Sequence, residues 1–290
     1  MRRHLTVRNR KRRVVVRERR EIARDEVGAG HRADRLEQAR VSHADPRAAV
    51  SRSAGFVPCR SAILLLVRRW PATAEDLIRE QDELARASPS PWTPSADFSI
   101  GGCFFCSARG KAGPGAAGDP AWAGAAVLRS ARVEASAVVA GEAGAPYEAG
   151  LLALREGPLL EAAIGSLGER LDVLLVDATG RDHPRCAGLA LQLGAILDVP
   201  TVGVTHRCLL AKGEWPQDER GARSPLRIGD EIVGYWLRTK AGTRPLAVHA
   251  AWRTGPEVAV EVVLASAGAQ RTPPPLREAR RLARTARSGS

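Results

Sequence analysis

The stretch LDVLLVDATGRDHP at 171–184 constrains the fold more than any other part of the chain. Val173 to Val176 is an unbroken run of Leu and Val. That is the pattern of a central strand covered on both faces, as in an α/β sheet, rather than the alternation of a strand with one wet face. The run ends in Asp177, and Ala-Thr-Gly-Arg-Asp then leads to His183-Pro184. Ligand and metal chemistry collects at the C-terminal ends of strands in open α/β sheets. Leu154-Arg155-Glu156-Gly157-Pro158, upstream, offers a second carboxylate beside a helix-breaking dipeptide, so the pair Glu156 and Asp177 reads as an acidic metal site. Each residue also has a plainer reading. A strand-end Asp is commonly a solvated turn residue, Glu156 a helix-terminal charge, and a His before Pro a structural imidazole.

Charge divides the chain. Residues 1–70 hold 19 Lys and Arg against 7 Asp and Glu, whereas residues 71–290 hold 25 of each. The formal charge of +12 therefore sits in the first quarter. RRHLTVRNRKRRVVVRERR has neither helical nor strand period and reads as a disordered basic arm. That arm is either a nucleic-acid-binding tail or an extension that adds nothing to the fold. We therefore assign residues 1–69 to a basic extension and 70–290 to one domain, long enough to bury a core. Ile63 to Val67 is too short to span a bilayer and is bracketed by Arg60, Arg68 and Arg69. No signal-peptide pattern follows the basic start, and the five Cys are odd in number. These features predict a soluble, cytoplasmic protein without a membrane partner.

The domain reads as mixed α/β. Thr73–Ala87 predicts an amphipathic helix capped by Thr73, and SPSPWTPS a linker. Phe98–Cys106 predicts a first strand, and 121–128 with 133–139 a hairpin. A helical stretch over 149–169, broken at Gly157-Pro158, precedes the 171–177 strand. A helix over 187–197, a strand over 201–205 and a polar excursion over 208–226 follow. Strands over 231–238 and 244–249 and helices over 256–266 and 274–287 close the chain. Three antiparallel strands followed by alternating helix and strand is the order of a ribonuclease H-like fold, a mixed sheet flanked by helices. Cys103-x-x-Cys106 invites a zinc reading, but residues three apart on a strand face opposite sides. Buried reduced thiols are expected instead.

The residue text of 70–288 resembles the endonuclease V family. The matching segments, in order, are WPATAEDLIREQDELA at 70–85, AWAGAAVL at 121–128, PYEAGLLALREGP at 146–158, LLVDATGRDHPRCAGLALQLG at 174–194 and VPTVGV at 199–204. RTKAGTRPLAVH, AWRT and EVAVEVVLA follow at the C-terminal end. The resemblance implies a DNA-repair nuclease that nicks DNA 3′ to deoxyinosine, with Mg²⁺ or Mn²⁺ held by Glu156 and Asp177 and with His183 close by. It implies that Tyr147 is an aromatic wedge at the lesion and that Gly180 lets the backbone approach the flipped base or phosphate. Its expected partners are DNA with deaminated bases or inosine-containing RNA, bound by a monomer.

Three positions depart from the family pattern. Phe104 stands where the first strand carries a catalytic Asp, His206 replaces a Lys, and Trp252 replaces a late His, with His249 nearby. Asp97, Asp119 and Glu148 are the candidates for a substitute oxygen, none of them well placed. His206 and His249 read as non-catalytic, and Trp70, Trp92 and Trp122 as core aromatics. Arg280, Arg281, Arg284 and Arg287 read as a solvated helix face within reach of DNA phosphates. Loss of the Asp opens an alternative to an active enzyme, a catalytically impaired paralogue that binds deaminated or structured nucleic acid without cleaving it.

Overall fold

The protein is described by a computed structural model covering residues 14–16, 69–110 and 113–289. Its strands are Val14–Val16 (β1), Ile100–Ser107 (β2), Pro120–Arg129 (β3), Arg132–Glu142 (β4), Val173–Val176 (β5), Thr201–Thr205 (β6), Arg223–Ile228 (β7), Glu231–Leu237 (β8) and Leu246–Ala250 (β9). The helices are Ala74–Arg86 (α1), Leu152–Gly165 (α2), Leu189–Leu197 (α3), Pro256–Ala267 (α4) and Pro274–Ser288 (α5). Among the described residues the strands make one mixed sheet in the order β1-β4-β3-β2-β5-β6-β9-β8-β7. β5 lies parallel to both β2 and β6, and the remaining pairs are antiparallel. This is the ribonuclease H-like α/β architecture that the order of elements predicts.

Two apolar cores form because β5 is apolar throughout. Leu174 and Val176 join the core under α1, α2 and α3, while Val173 and Leu175 join the one under α4 and α5. Leu174 and Leu175 are fully buried, and truncating either to Ala costs about 2–5 kcal/mol. α1 starts where the sequence places it: the Thr73 hydroxyl accepts from the Asp76 amide at 3.1 Å. Asp76 and Glu75 lie in its first turn, favoured by the positive helix end. α5 lies against the sheet at two glycines. A Cβ on Gly102 would come within 2.4 Å of the Pro275 carbonyl carbon, and one on Gly124 within 2.2 Å of the Ala279 oxygen. Small residues there bring the arginine-rich face of α5 down to the end of β2.

The structure corrects the sequence reading at several elements. α2 runs unbroken through Gly157 and Pro158. Pro158 has no N–H for the Leu154 carbonyl, and the Gly144 backbone packs over this freed turn, its amide donating to the Arg155 oxygen at 3.0 Å. Gly157 is small because the Trp70 ring lies on it, and Trp70 Nε1 donates to Glu161 at 2.7 Å. The polar excursion over 208–226 hides β7, an edge strand in which Leu226 alone is buried. Pro225 is tolerated there because an edge strand need not donate on its outer side. β1 pairs with β4, Val15 opposite Val138. Apart from Val14–Val16 and Arg69, the expected disordered extension 1–69 lies outside the described residues.

Cys103 and Cys106 are buried on opposite faces of β2, as their spacing predicts. Among the described residues no three His, Cys, Asp or Glu converge as a metal cluster. No helix among them is long and apolar enough to cross a membrane.

Candidate active site

The register of the sheet sets the site. β2 and β5 are parallel, with Cys103 opposite Val176, so the next pair is Phe104, within β2, and Asp177, just past the end of β5. Residues alternate faces along a strand, so both look toward α5. Arg280 of α5 donates to Asp177 Oδ2 at 3.0 Å. The guanidinium carbons of Arg280 and Arg284 lie 5.0 and 5.4 Å from the Phe104 ring centre. Where the resemblance places a third carboxylate, this chain thus has an aromatic ring flanked by two guanidinium groups.

Glu156 reaches the same strand ends from α2. Burial, foremost, and the negative charge of Asp177 push its carboxyl up to about 8, with Arg155 partly opposing them. A buried carboxyl beside a second carboxylate holds its proton near neutral pH. The same two charges, after burial, hold the Cys103 thiol well above the ordinary range. Arg155 itself is fixed by Ala145 O at 2.6 Å and Ser107 Oγ at 2.9 Å, which ties the turn of Glu156 to the loop carrying Tyr147.

A concave pocket of about 180 Å³ opens beside Asp177. Tyr147, 54% exposed, stands at its rim, while Gln81, His183, Thr179 and Leu209 contribute walls. His183 is buried, and its ring is committed on both sides. Nε2 lies 3.0 Å from the Gly150 carbonyl and Nδ1 accepts from the Arg185 amide at 3.1 Å. A carbonyl only accepts and an amide only donates, so the ring is the neutral Nε2–H tautomer. Burial also lowers its pKa. The structure thus gives the imidazole to the pocket wall and leaves it no free lone pair for general-base work. Gln81, not singled out from sequence, donates to the same carbonyl at 2.9 Å and accepts from Arg185 at 3.1 Å.

Gly180 proves to be a packing glycine. A Cβ there would meet Ala250 O at 2.1 Å and Ala251 Cβ at 2.9 Å. The close approach is to the protein's own chain at the end of β9. Asp97 is a surface partner of Arg129 at 3.7 Å, and Asp119 accepts from the Ala116 amide at 2.8 Å. Of the three candidate substitute oxygens, Glu148 alone lines the pocket beside Asp177.

Sequence reasoning read His206 as non-catalytic and missed Asp182. His206 Nδ1 lies 3.1 Å from Arg271, which can only donate. Burial, then the Arg271 charge, lower its pKa, and the charges of Asp177 and Arg280 also act on it. The position of the family's Lys is therefore a neutral imidazole near Asp177, backed by an arginine. Asp182 is fully buried and accepts from the amides of Leu209, Leu210 and Ala211 at 2.7, 2.8 and 2.7 Å. It fixes the loop that carries the pocket residue Leu209, and its only sequence signal is its place beside His183. His249 is fully buried in β9, with Nε2 2.9 Å from Thr205 Oγ1, and burial brings its pKa down to about 4. Trp252 packs on Gly194 away from the carboxylates, and its amide donates to Thr201.

A mixed sheet of this order, with the candidate carboxylates Glu156 and Asp177 beside its central strands, is a ribonuclease H-like architecture. The family model described as Endonuclease V matches residues 113–281. Endonuclease V of Roseiflexus castenholzii is 38% identical over 171 residues, 58% of this chain and 77% of that protein. The endonuclease V structure from Streptomyces avermitilis is 32% identical with a TM-score of 0.68, covering 76% of this chain and 95% of that one. The endonuclease V of Ciona intestinalis was solved with a 24mer DNA containing an inosine followed by a ribo-adenosine. At 19% identity and a TM-score of 0.63, over 74% of this chain and 97% of that one, it shares the fold. The chain belongs to the endonuclease V family, metal-dependent nucleases that hydrolyse DNA.

Proposed function

We propose that this protein nicks DNA 3′ to deoxyinosine, with Glu156 and Asp177 as ligands of Mg²⁺, Mn²⁺ serving in its place. The observation that carries the reading is the double position of Asp177. It borders the pocket behind Tyr147 and faces Glu156 closely enough to help raise that carboxyl to about 8. The donor set fits a hard divalent cation. Mg²⁺ commonly takes one or two carboxylates and fills its remaining positions with water and substrate phosphate oxygens. Such a cation, when bound, would orient and activate water and stabilise charge developing on the scissile phosphate.

The chain's own residues do the rest. The exposed Tyr147 ring replaces stacking when a base leaves the duplex. Gln81 and His183 hold the Gly150 carbonyl from two directions, and Asp182 holds the Leu209 loop, so the pocket is rigid before the base arrives. His183 acts as a neutral pocket wall. Glu156 must release its proton before it can serve as an oxygen ligand.

The test is a labelled duplex with one deoxyinosine, and its RNA counterpart, incubated with the full chain and Mg²⁺, Mn²⁺ or EDTA. A metal-dependent nick lost in both Glu156→Ala and Asp177→Ala is the expected result; nicking that survives both removes the assignment. One observation favours a second reading, a protein that binds deaminated nucleic acid without cleaving it. Phe104 removes a carboxylate, and Arg280 already neutralises Asp177 at 3.0 Å. A gel shift with no nick in any metal would select that reading.

A further inference from the structure

The site carries cations of its own, and the nuclease function proposed above does not use them. An open groove of about 450 Å³ runs along α5, lined by Arg271, Arg277, Arg280, Arg281 and Arg284, and Arg280 joins it to Asp177. Arg281 is paired with Glu278 at 2.6 Å and Arg280 with Asp177. Arg284 has no carboxylate partner among the described residues; what it meets is the Phe104 ring. Arg280 lies over the same ring, and its buried Nε has no hydrogen-bond partner. A guanidinium held against an aromatic face keeps its plane, and its N–H edge stays available for bidentate contact with phosphate.

The placement is built, not incidental. Gly102 and Gly124 let α5 sit directly on the sheet, which sets its arginines at the end of β2. Both guanidinium groups contact one ring, at 5.0 and 5.4 Å from its centre, and Asp177 is the one carboxylate paired with either of them among the described residues. An anion with more than one negative oxygen is the natural ligand of such a pair, and along a groove leaving a nuclease site that anion is a phosphodiester backbone.

We propose that Phe104, Arg280 and Arg284 form a phosphate clamp for the nucleic-acid strand, a subsite at the position where the resemblance calls for a metal-binding carboxylate. Asp177 is the resting partner of Arg280. When a backbone phosphate enters, the Arg280 guanidinium turns to it and frees the Asp177 carboxylate for the cation. The clamp rests on the nuclease reading of the site, but it holds the strand without a metal.

The experiment uses the full chain in EDTA, with fluorescence anisotropy on single-stranded oligonucleotides with and without one deoxyinosine, over a salt titration. Arg280→Ala and Arg284→Ala should each weaken binding of both oligonucleotides about 5- to 30-fold. Each should also reduce the slope of log affinity on log salt by about 0.7–1, the signature of one lost phosphate contact. Arg280→Lys should keep the slope but recover only part of the affinity, because an ammonium neither stacks flat nor makes a bidentate contact. Phe104→Leu, which keeps an apolar side chain without the ring, should weaken binding severalfold at an unchanged slope. Inorganic phosphate added as competitor should displace the strand only at far higher concentration; displacement with no effect of the arginine substitutions would mean a site for free phosphate and would overturn the clamp. Wild-type affinity and slope in both arginine variants, with preference for deoxyinosine retained, would remove the clamp and leave the nuclease reading standing. A wild-type chain that binds neither oligonucleotide would remove the clamp, while metal-dependent nicking of the deoxyinosine duplex decides the nuclease reading separately.

Discussion

The two sides of Asp177 are built on opposite principles. On the pocket side, polar groups such as Gln81, His183, Asp182 and the Gly150 carbonyl are matched to partners at hydrogen-bond distance. Those partners are mostly backbone, and the pocket wall is pre-formed. On the α5 side, charge is left only partly compensated: an Asp177 claimed by Arg280, and Arg284 resting on a phenyl ring. The difference teaches that recognition and cleavage make separate demands on one site. A recognition pocket works best when nothing has to rearrange. A cation and phosphate site must exchange partners, so it keeps groups whose charges are satisfied only when the ligands arrive.

Breaking the α5 side alone should show the largest effect. Asp177→Asn should lower nicking more than about 100-fold, beyond the roughly 10- to 100-fold typical of losing an outer-shell partner, while preference for deoxyinosine in a gel shift survives. If discrimination disappears as well, the two sides are not separable. Tyr147→Ala should do the converse. It should cost about 1–3 kcal/mol of stacking, roughly 5- to 150-fold in affinity for the deoxyinosine strand, while divalent-cation binding followed by Mn²⁺ electron paramagnetic resonance stays unchanged.

Phe104→Asp sharpens the comparison by returning a third carboxylate. It should raise Mn²⁺ affinity about 10-fold and weaken metal-free strand binding; unchanged Mn²⁺ affinity would show that the position no longer faces the cation.

The smallest effect is the pH response of Glu156. Its carboxyl titrates near 8 when folded and near its ordinary 4.5 when unfolded. The folded chain therefore binds the extra proton between these values. The stability this contributes is fully present below about pH 4.5 and is lost as pH rises through about 8. Melting temperature without metal should fall across that window, and Glu156→Gln should flatten the fall. Mn²⁺ affinity should rise with pH over the same interval and level off above about 8, because the proton must leave first.

Much of the pocket side was legible because its signals are local. VLLV followed by Asp177 announces a buried strand and its mouth, Thr73 announces the start of α1, and the text around Tyr147 and His183 is continuous. The α5 side was not legible for the opposite reason. Arg280 and Asp177 are 103 residues apart, and the arginines of 280–287 look like any solvated helix face until Gly102 and Gly124 seat α5 on the sheet. The same limit hid β7, whose strand character lies in its pairing with β8 and not in its polar sequence. It also hid the packing of Gly180 against Ala250.

The sequence by itself determined the α/β class, most of the run of elements from α1 to α5, the family, and the candidate carboxylates Glu156 and Asp177. These follow from periodicity, capping and contiguous motif text, which are properties of neighbouring residues. Tertiary structure alone decided that α2 continues through Pro158, that His183 is a neutral wall of the pocket, and that His206 stands beside Asp177. It also decided that Phe104 is flanked by two arginines. Each of these depends on which distant backbone groups arrive to satisfy a donor, an acceptor or a charge, and only the packed sheet and helices bring them within reach.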